Sequence, residues 1–144
     1  MKPDLTPLVL EASPNWKDYQ LLDSGDGKTL ERFGPYLLIR PRPQAIWAKT
    51  LPASEWKKAH ALLVEEQQEY GGKWTMLNPM EKSWKLSYGK LQFQAQLSSS
   101  RHVGVFPEQA SHWDWMTERI TAGRRPFKVL NLFGYSGLAS VAAV

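Results

Sequence analysis

The stretch Phe127-Lys128-Val129-Leu130-Asn131-Leu132-Phe133-Gly134-Tyr135-Ser136-Gly137 decides how the chain is read. Its first seven residues are mostly apolar, the composition of a strand covered on both faces in a parallel sheet. Gly134-Tyr135-Ser136-Gly137 is a turn, and Leu138–Val144, built from small residues, opens a helix. Strand, glycine turn and helix in that order begin a doubly wound nucleotide-binding domain. Glycine lets the main chain come close to a ligand, and the free N–H groups of the new helix face the crevice. The spacing is not Gly-x-Gly-x-x-Gly, because Tyr135 and Ser136 separate the two glycines and nothing glycine-like stands near 139. On spacing alone, an ordinary strand–helix turn remains open beside a nucleoside cofactor. A nicotinamide site is disfavoured, since Tyr135 and Ser136 occupy the place where a pyrophosphate wants glycine.

Upstream, Arg101-His102-Val103-Gly104-Val105-Phe106-Pro107-Glu108-Gln109 leads into a helix expected over about Glu108–Ala122. Pro107 suits its start, and Ala110, Trp113, Met116, Thr117 and Ile120 share a face. Ser98-Ser99-Ser100 is the one linker-like stretch and marks the expected domain boundary. Residues 19–100 then read as a small α+β unit, and residues 1–18, with Pro3, Pro7 and Pro14, as an irregular lead-in. Within the unit, Ser24-Gly25-Asp26-Gly27-Lys28 is a hairpin turn between strands at Tyr19–Leu22 and Thr29–Phe33. Strands are expected at Tyr36–Arg40, Ala45–Lys49, Trp74–Leu77, Trp84–Tyr88 and Leu91–Leu97, the last two joined by Gly89-Lys90. Leu91, Phe93, Ala95 and Leu97 alternate with glutamines, the mark of a half-buried strand. Ser54 is read as the cap of a helix over Glu55–Tyr70, with Trp56, Ala59, Leu62, Leu63 and Gln67 on one stripe and Gly71-Gly72 ending it. Gly27-Lys28-Thr29 looks like the end of a phosphate loop. Leu22 stands where that motif needs glycine, and Phe33-Gly34-Pro35 blocks the following helix, so the turn reading holds.

The 144 residues carry 18 Lys+Arg against 14 Asp+Glu, a net charge of +4, far from a coat for nucleic acid. The absence of cysteine excludes a disulfide frame, a thiolate zinc site and a cysteine nucleophile within these residues. His60, His102 and His112 lack metal-ligand spacing, so no metal is expected. No run reaches the roughly 18–20 apolar residues that cross a bilayer, and no signal peptide opens the chain, so a soluble, cytoplasmic protein without a membrane partner is expected. The seven tryptophans are core or stacking surface. Arg40, Arg42, Lys49, Lys57 and Lys58 against Glu55, with Trp47, Trp56 and Trp74 nearby, leave a nucleic-acid-binding module without catalysis as the alternative.

The segment Val129–Gly137 resembles the first cofactor motif of class I S-adenosylmethionine-dependent methyltransferases, in the form found in the bacterial RNA cytosine methyltransferase-like group. Arg101–Gln109 looks like that group's segment ahead of its Rossmann-like domain. Leu30-Glu31-Arg32-Phe33-Gly34 with Leu38–Trp47 is similar to the accessory domain of a subgroup. The resemblance implies an α+β accessory domain followed by the start, at residues 101–144, of an α/β Rossmann-like methyltransferase domain. It implies S-adenosylmethionine as cofactor, held by Phe106, Glu108, Gln109, Asn131, Phe133, Gly134, Tyr135, Ser136 and Gly137, and RNA as the acceptor. No catalytic residue is assigned. A cysteine, expected for transfer to cytosine C5, is absent from this chain.

A fold of this class has further strands, a later acidic residue for the ribose and an Asp/Asn-Pro-Pro motif, none of which occurs before Val144. The chain is therefore read as truncated and inactive by itself. Its strand at 127–133, lacking neighbours, is expected to drive homo-oligomer formation through an open edge.

Overall fold

The computed structural model describes residues 16–65, 72–123 and 125–144. Strands β1 (Tyr19–Gly25), β2 (Lys28–Phe33) and β3 (Tyr36–Pro41) form an antiparallel meander. The single turn α1 (Ala53–Trp56) follows, then β4 (Ala61–Glu65) and β5 (Gly72–Met76). These strands make a five-stranded sheet in the order β1-β2-β3-β4-β5, parallel between β3 and β4 and antiparallel elsewhere. A hairpin of β6 (Ser83–Tyr88) and β7 (Leu91–Gln96) forms a second sheet. A 3-10 turn at Pro107–Gln109 leads into α2 (Ala110–Ala122), and α3 (Leu138–Ala142) lies near the end of the chain.

Side chains alternate across β2 and β3, so the central strands are covered on both faces. Leu30 and Ile39 pack with Trp56 and Ala59 on one face. Phe33, Leu38 and Ala61 pack on the other against Trp84, Leu86 and Ala95 of the hairpin. Val103, Val105, Ala110, Trp113 and Leu138 complete that second cluster, so one apolar core runs from the sheet through the hairpin to both later helices. Trp84 donates its indole N–H to the Phe33 carbonyl at 3.1 Å, fixing the hairpin against the end of β2. Of the seven tryptophans, Trp16, Trp56, Trp84 and Trp113 are buried, which makes core the commoner role.

Both hairpins lie where their turn residues placed them. The expected helix over Glu55–Tyr70 is corrected. It is one turn followed by strand β4, and its far end, 66–70, lies outside the described residues. The stripe Trp56, Ala59, Leu62, Leu63 is compatible with either period. The sheet decides it, because Ala61 and Leu62 pair with Leu38 and Ile39 while Leu63 faces Trp74 across β5. The connection is sealed by His60, whose N–H reaches the Leu37 carbonyl at 2.7 Å while its Nδ1 accepts the Leu37 N–H at 3.0 Å.

The strand expected at Ala45–Lys49 is corrected as well. Residues 42–49 form a strap over the β1–β2 turn, with the Asp26 and Gly27 N–H groups donating to the Trp47 and Ala45 carbonyls at 2.8 and 2.9 Å. The strap passes so close that a Cβ on Gly25 would stand 2.5 Å from the Lys49 nitrogen, which is why glycine is required there. Residues 127–133 overturn a third expectation. They form no strand, and Leu130, Leu132 and Phe133 are 80%, 76% and 91% exposed. A parallel strand exists only through its neighbours, and no described strand lies beside this one. Among the described residues no helix is long and apolar enough to cross a membrane.

A β-bulge between Leu21 and Asp23 accompanies the inward placement of Asp23, whose carboxylate is the anchor of the strap. It accepts the N–H groups of Ser24 (2.9 Å), Thr50 (3.1 Å) and Leu51 (2.9 Å) and the indole N–H of Trp56 (3.0 Å). Burial works to raise its pKa but is outweighed by these hydrogen bonds, which hold it below the usual carboxylate value. A depressed native pKa contributes stability that is present above about pH 4 and is lost as pH falls through the native value. Asp23→Ala should therefore destabilise the protein by about 3 kcal/mol, since it strands Trp56 Nε1 and strap amides. Denaturant melts should show the deficit at pH 7 and a smaller one near pH 3.

Candidate functional site

On the hairpin-facing side of the meander, Thr29, Glu31 and Phe33 of β2 line up beside Tyr36, Leu38 and Arg40 of β3, as the register Thr29↔Arg40, Glu31↔Leu38, Phe33↔Tyr36 requires. Glu31 is only 3% exposed. Its carboxylate takes a two-pronged contact from Arg40, Nε to Oε2 at 2.6 Å and Nη2 to Oε1 at 2.5 Å. The hydroxyls of Tyr19 and Thr29 donate to the same carboxylate, each at 2.9 Å. Arg40 Nη1 then reaches the Arg101 carbonyl at 3.0 Å. One buried pair thus ties the sheet to the segment that leads into α2.

Burial alone would raise the Glu31 pKa. The hydrogen bonds and charge of Arg40, with Thr29 and Tyr19, overcome it and hold the carboxyl below its usual value. Arg40 is shifted upward in the same way, burial being outweighed by Glu31. Tyr19 is pushed well above the ordinary phenol range, first by burial and then by the Glu31 charge.

A cleft of about 670 Å³ opens above this pair, running from Trp47 on the strap to Arg101, His102, Pro107 and Glu108. Among the described residues, Arg42, Arg101 and Glu108 on its walls make no side-chain ion pair or hydrogen bond, and Arg40 is fully engaged. His102 packs against Phe106 at a tilt of 46° with ring centres 4.3 Å apart, and Phe106 meets Tyr135 at 4.9 Å. Burial first, then the charges of Arg40 and Arg101, hold the His102 imidazole below its usual pKa against the opposing pull of Glu108 and Glu31.

The residues expected at a cofactor are brought together in part. Phe106, Tyr135 and His102 form one aromatic group, with Glu108 beside it on the cleft wall. Gly134–Gly137 is a tight turn closed by Gly137 N–H to the Gly134 carbonyl at 2.6 Å; Gly137 sits at φ 81° and Tyr135 at φ 43°. Ser136 lies exposed within it. A Cβ on Gly134 or Gly137 would meet nothing within 4 Å, so the space beside the turn is open. Three residues lie apart from this group. Gln109 is engaged with His112 at 3.0 Å, Asn131 donates to Ser140 Oγ at 3.0 Å, and the Phe133 ring stands in solvent.

Sequence reasoning missed Tyr19, Thr29, Glu31, Arg40 and His102 as one cluster. Thr29 and Glu31 fall within the strand expected at Thr29–Phe33, but the contact to Arg40 depends on a register that no single strand reveals. The basic run at 40–58 is largely neutralised. Arg40 is held by Glu31, Lys49 lies 3.5 Å from Asp26, and Lys58 lies 2.7 Å from Glu55.

No family model matches the chain, and no curated protein matches it. Among solved structures, it is similar to the SAM-dependent methyltransferase from Agrobacterium tumefaciens, with 40% sequence identity and a TM-score of 0.87. The match covers 96% of this chain and 44% of that one, so the chain spans less than half the length of this neighbour.

Glu31→Gln leaves the Arg40 charge buried and unmatched and should lower stability by about 3–5 kcal/mol in denaturant melts. The native Glu31 contribution is present above the ordinary glutamate range and fades as acid brings the pH through its lowered value. His102 acts in the same direction, because the native state disfavours the imidazolium: stability falls as pH drops below about 6.5, where the unfolded chain takes up the proton first. An NMR titration should place the His102 midpoint below that value, and Arg101→Gln should raise it.

Proposed function

We propose that the chain is part of a class I S-adenosylmethionine-dependent methyltransferase of the RNA cytosine methyltransferase-like group, with RNA as acceptor. The observation that carries the cofactor reading is the likeness, at 40% identity over nearly the whole chain, to a SAM-dependent methyltransferase. The local chemistry agrees with it. A sulfonium is cationic, and Glu108 supplies an uncommitted carboxylate on the cleft wall beside His102, whose ring meets those of Phe106 and Tyr135. The open face of Gly134 and Gly137 admits a ligand against the main chain.

In this reading Glu108 opposes the positive charge of the cofactor, Phe106 and Tyr135 flank it, and the Gly134–Gly137 turn lets the backbone approach. Asn131, through Ser140, steadies the entry to α3, and Ser136 borders the site, while Gln109 and Phe133 stand apart from it. When bound there, S-adenosylmethionine would supply an electrophilic methyl group for in-line transfer to a nucleophile of the acceptor, the C–S bond breaking and the sulfur leaving as the neutral thioether. The chain covers less than half of the neighbour's length, and we assign the remaining catalytic groups to parts of the enzyme that it does not include. The isolated chain is accordingly inactive in our reading, and its exposed 127–133 segment joins it to a second copy. The competing reading, a nucleic-acid-binding module without catalysis, draws on Arg42 and Lys57, the cations of the basic run that remain unpaired among the described residues.

Calorimetry with S-adenosylmethionine tests the cofactor reading, on a chimera in which the Agrobacterium protein supplies everything outside the matched span. Saturable heat is expected, weakened about tenfold by Glu108→Gln or Tyr135→Ala, a loss of about 1.4 kcal/mol. No heat from a chimera shown to be folded sinks the enzyme assignment. For the isolated chain, light scattering should report a dimer at high concentration, and a strictly monomeric species overturns that part.

A further inference from the structure

The cleft above the Glu31–Arg40 pair has no task in the cofactor reading beyond sharing Glu108 with it. Its volume of about 670 Å³ suits a ligand of nucleotide size. Its charged lining consists of Arg40, Arg42 and Arg101 against Glu31 and Glu108. Arg40 is spent on Glu31, so the cations available to a ligand are Arg42 and Arg101, both exposed.

Trp47 stands at the other end. Its ring is 54% exposed, unlike Trp56 and Trp84, which are buried. Its indole N–H is fixed to the Ser24 carbonyl at 2.9 Å, and the strap that carries it is hydrogen-bonded to the β1–β2 turn. A large aromatic face held in place this way loses little freedom when a planar group stacks on it. Two free guanidinium groups and one anchored indole around a single cleft match a phosphate joined to an aromatic base. The cleft also ends at Pro107 and Glu108, the segment that flanks the proposed donor site, so a strand anchored at Trp47 can continue toward that site.

We propose that this cleft engages the acceptor strand and takes one nucleotide unit of single-stranded RNA, its phosphate on Arg42 and Arg101 and its base stacked on Trp47. The inference rests on the RNA reading above and adds to it the surface and residues that engage the strand. The Glu31–Arg40 pair is a positioning device here. It holds Arg101 and His102 against the sheet and leaves binding to the two outer arginines.

The test uses the whole chain and a fluorescein-labelled heptamer of uridylate, followed by anisotropy over a range of salt. Arg42→Gln and Arg101→Gln should each weaken binding several-fold, and each should lower the slope of log affinity against log salt by about 0.7. Trp47→Leu should cost about tenfold, with Trp47→Phe recovering most of it. Lys57→Gln, a change at an unpaired lysine outside the cleft, should leave binding unchanged, and thermal melts confirm that each variant is folded. If the heptamer binds but all cleft variants match the parent, or Lys57→Gln weakens it equally, the cleft assignment is overturned while RNA as acceptor stands. If the parent does not bind the heptamer, both fall. Calorimetry with S-adenosylmethionine on the chimera reads the cofactor assignment separately, since Arg42 and Trp47 take no part in it. Uridine monophosphate competing as well as the heptamer would place a free nucleotide in the cleft and overturn the strand.

Discussion

A carboxylate and a guanidinium removed from water together set the frame of this molecule. Separately, Glu31 and Arg40 would each carry a desolvation cost of several kcal/mol in the place where β2 and β3 put them. Joined by a two-pronged contact, with Tyr19 and Thr29 saturating the remaining oxygen capacity, they become a rigid polar inclusion in a face that is otherwise apolar. Apolar side chains of the same volume could stabilise the sheet as well. They could not reach the Arg101 carbonyl and so could not fix the approach to α2. The pair exchanges some stability for a defined position of the segment carrying His102, Phe106 and Glu108.

Asp23 does similar work on the opposite side of the sheet. There a buried carboxylate gathers main-chain N–H groups and one indole, and the strap between β3 and α1 is held by it. The two acids serve different ends. Glu31 aligns the core-side cleft floor, whereas Asp23 fixes the loop that carries Trp47 to the cleft rim. Both walls of the cleft are thus referred to the same three-stranded meander, which is why a site of mixed loop and strand residues has a definite shape.

The parts of the fold that were legible in the sequence are those whose causes are local. The turns at Gly25-Asp26-Gly27 and Gly89-Lys90 announce themselves by residue type, and the Leu91–Gln96 alternation needs no partner to be seen. What misled was burial conferred by neighbours. Leu62 and Leu63 fit a helical stripe until β3 and β5 claim them, and Val129–Phe133 has the composition of a covered strand with nothing described to cover it. At the candidate site, Phe106, Glu108 and Tyr135 could be singled out in advance because they belong to contiguous motifs. Glu31, Arg40 and His102 were not, because their meeting depends on strand register and on how the segment after β7 returns over the sheet.

The parallel joint between β3 and β4 also dictates an order of events. Leu38↔Ala61 and Ile39↔Leu62 can pair only after the strap and α1 have spanned the full distance between antiparallel halves. Closing such an excursion loses chain entropy before any ladder bond is gained, whereas each tight hairpin closes in microseconds. The meander and the β6–β7 ribbon are therefore expected to form before the central seam. Until that seam closes, β3 and β4 each present an unpaired ladder edge where the finished sheet has none.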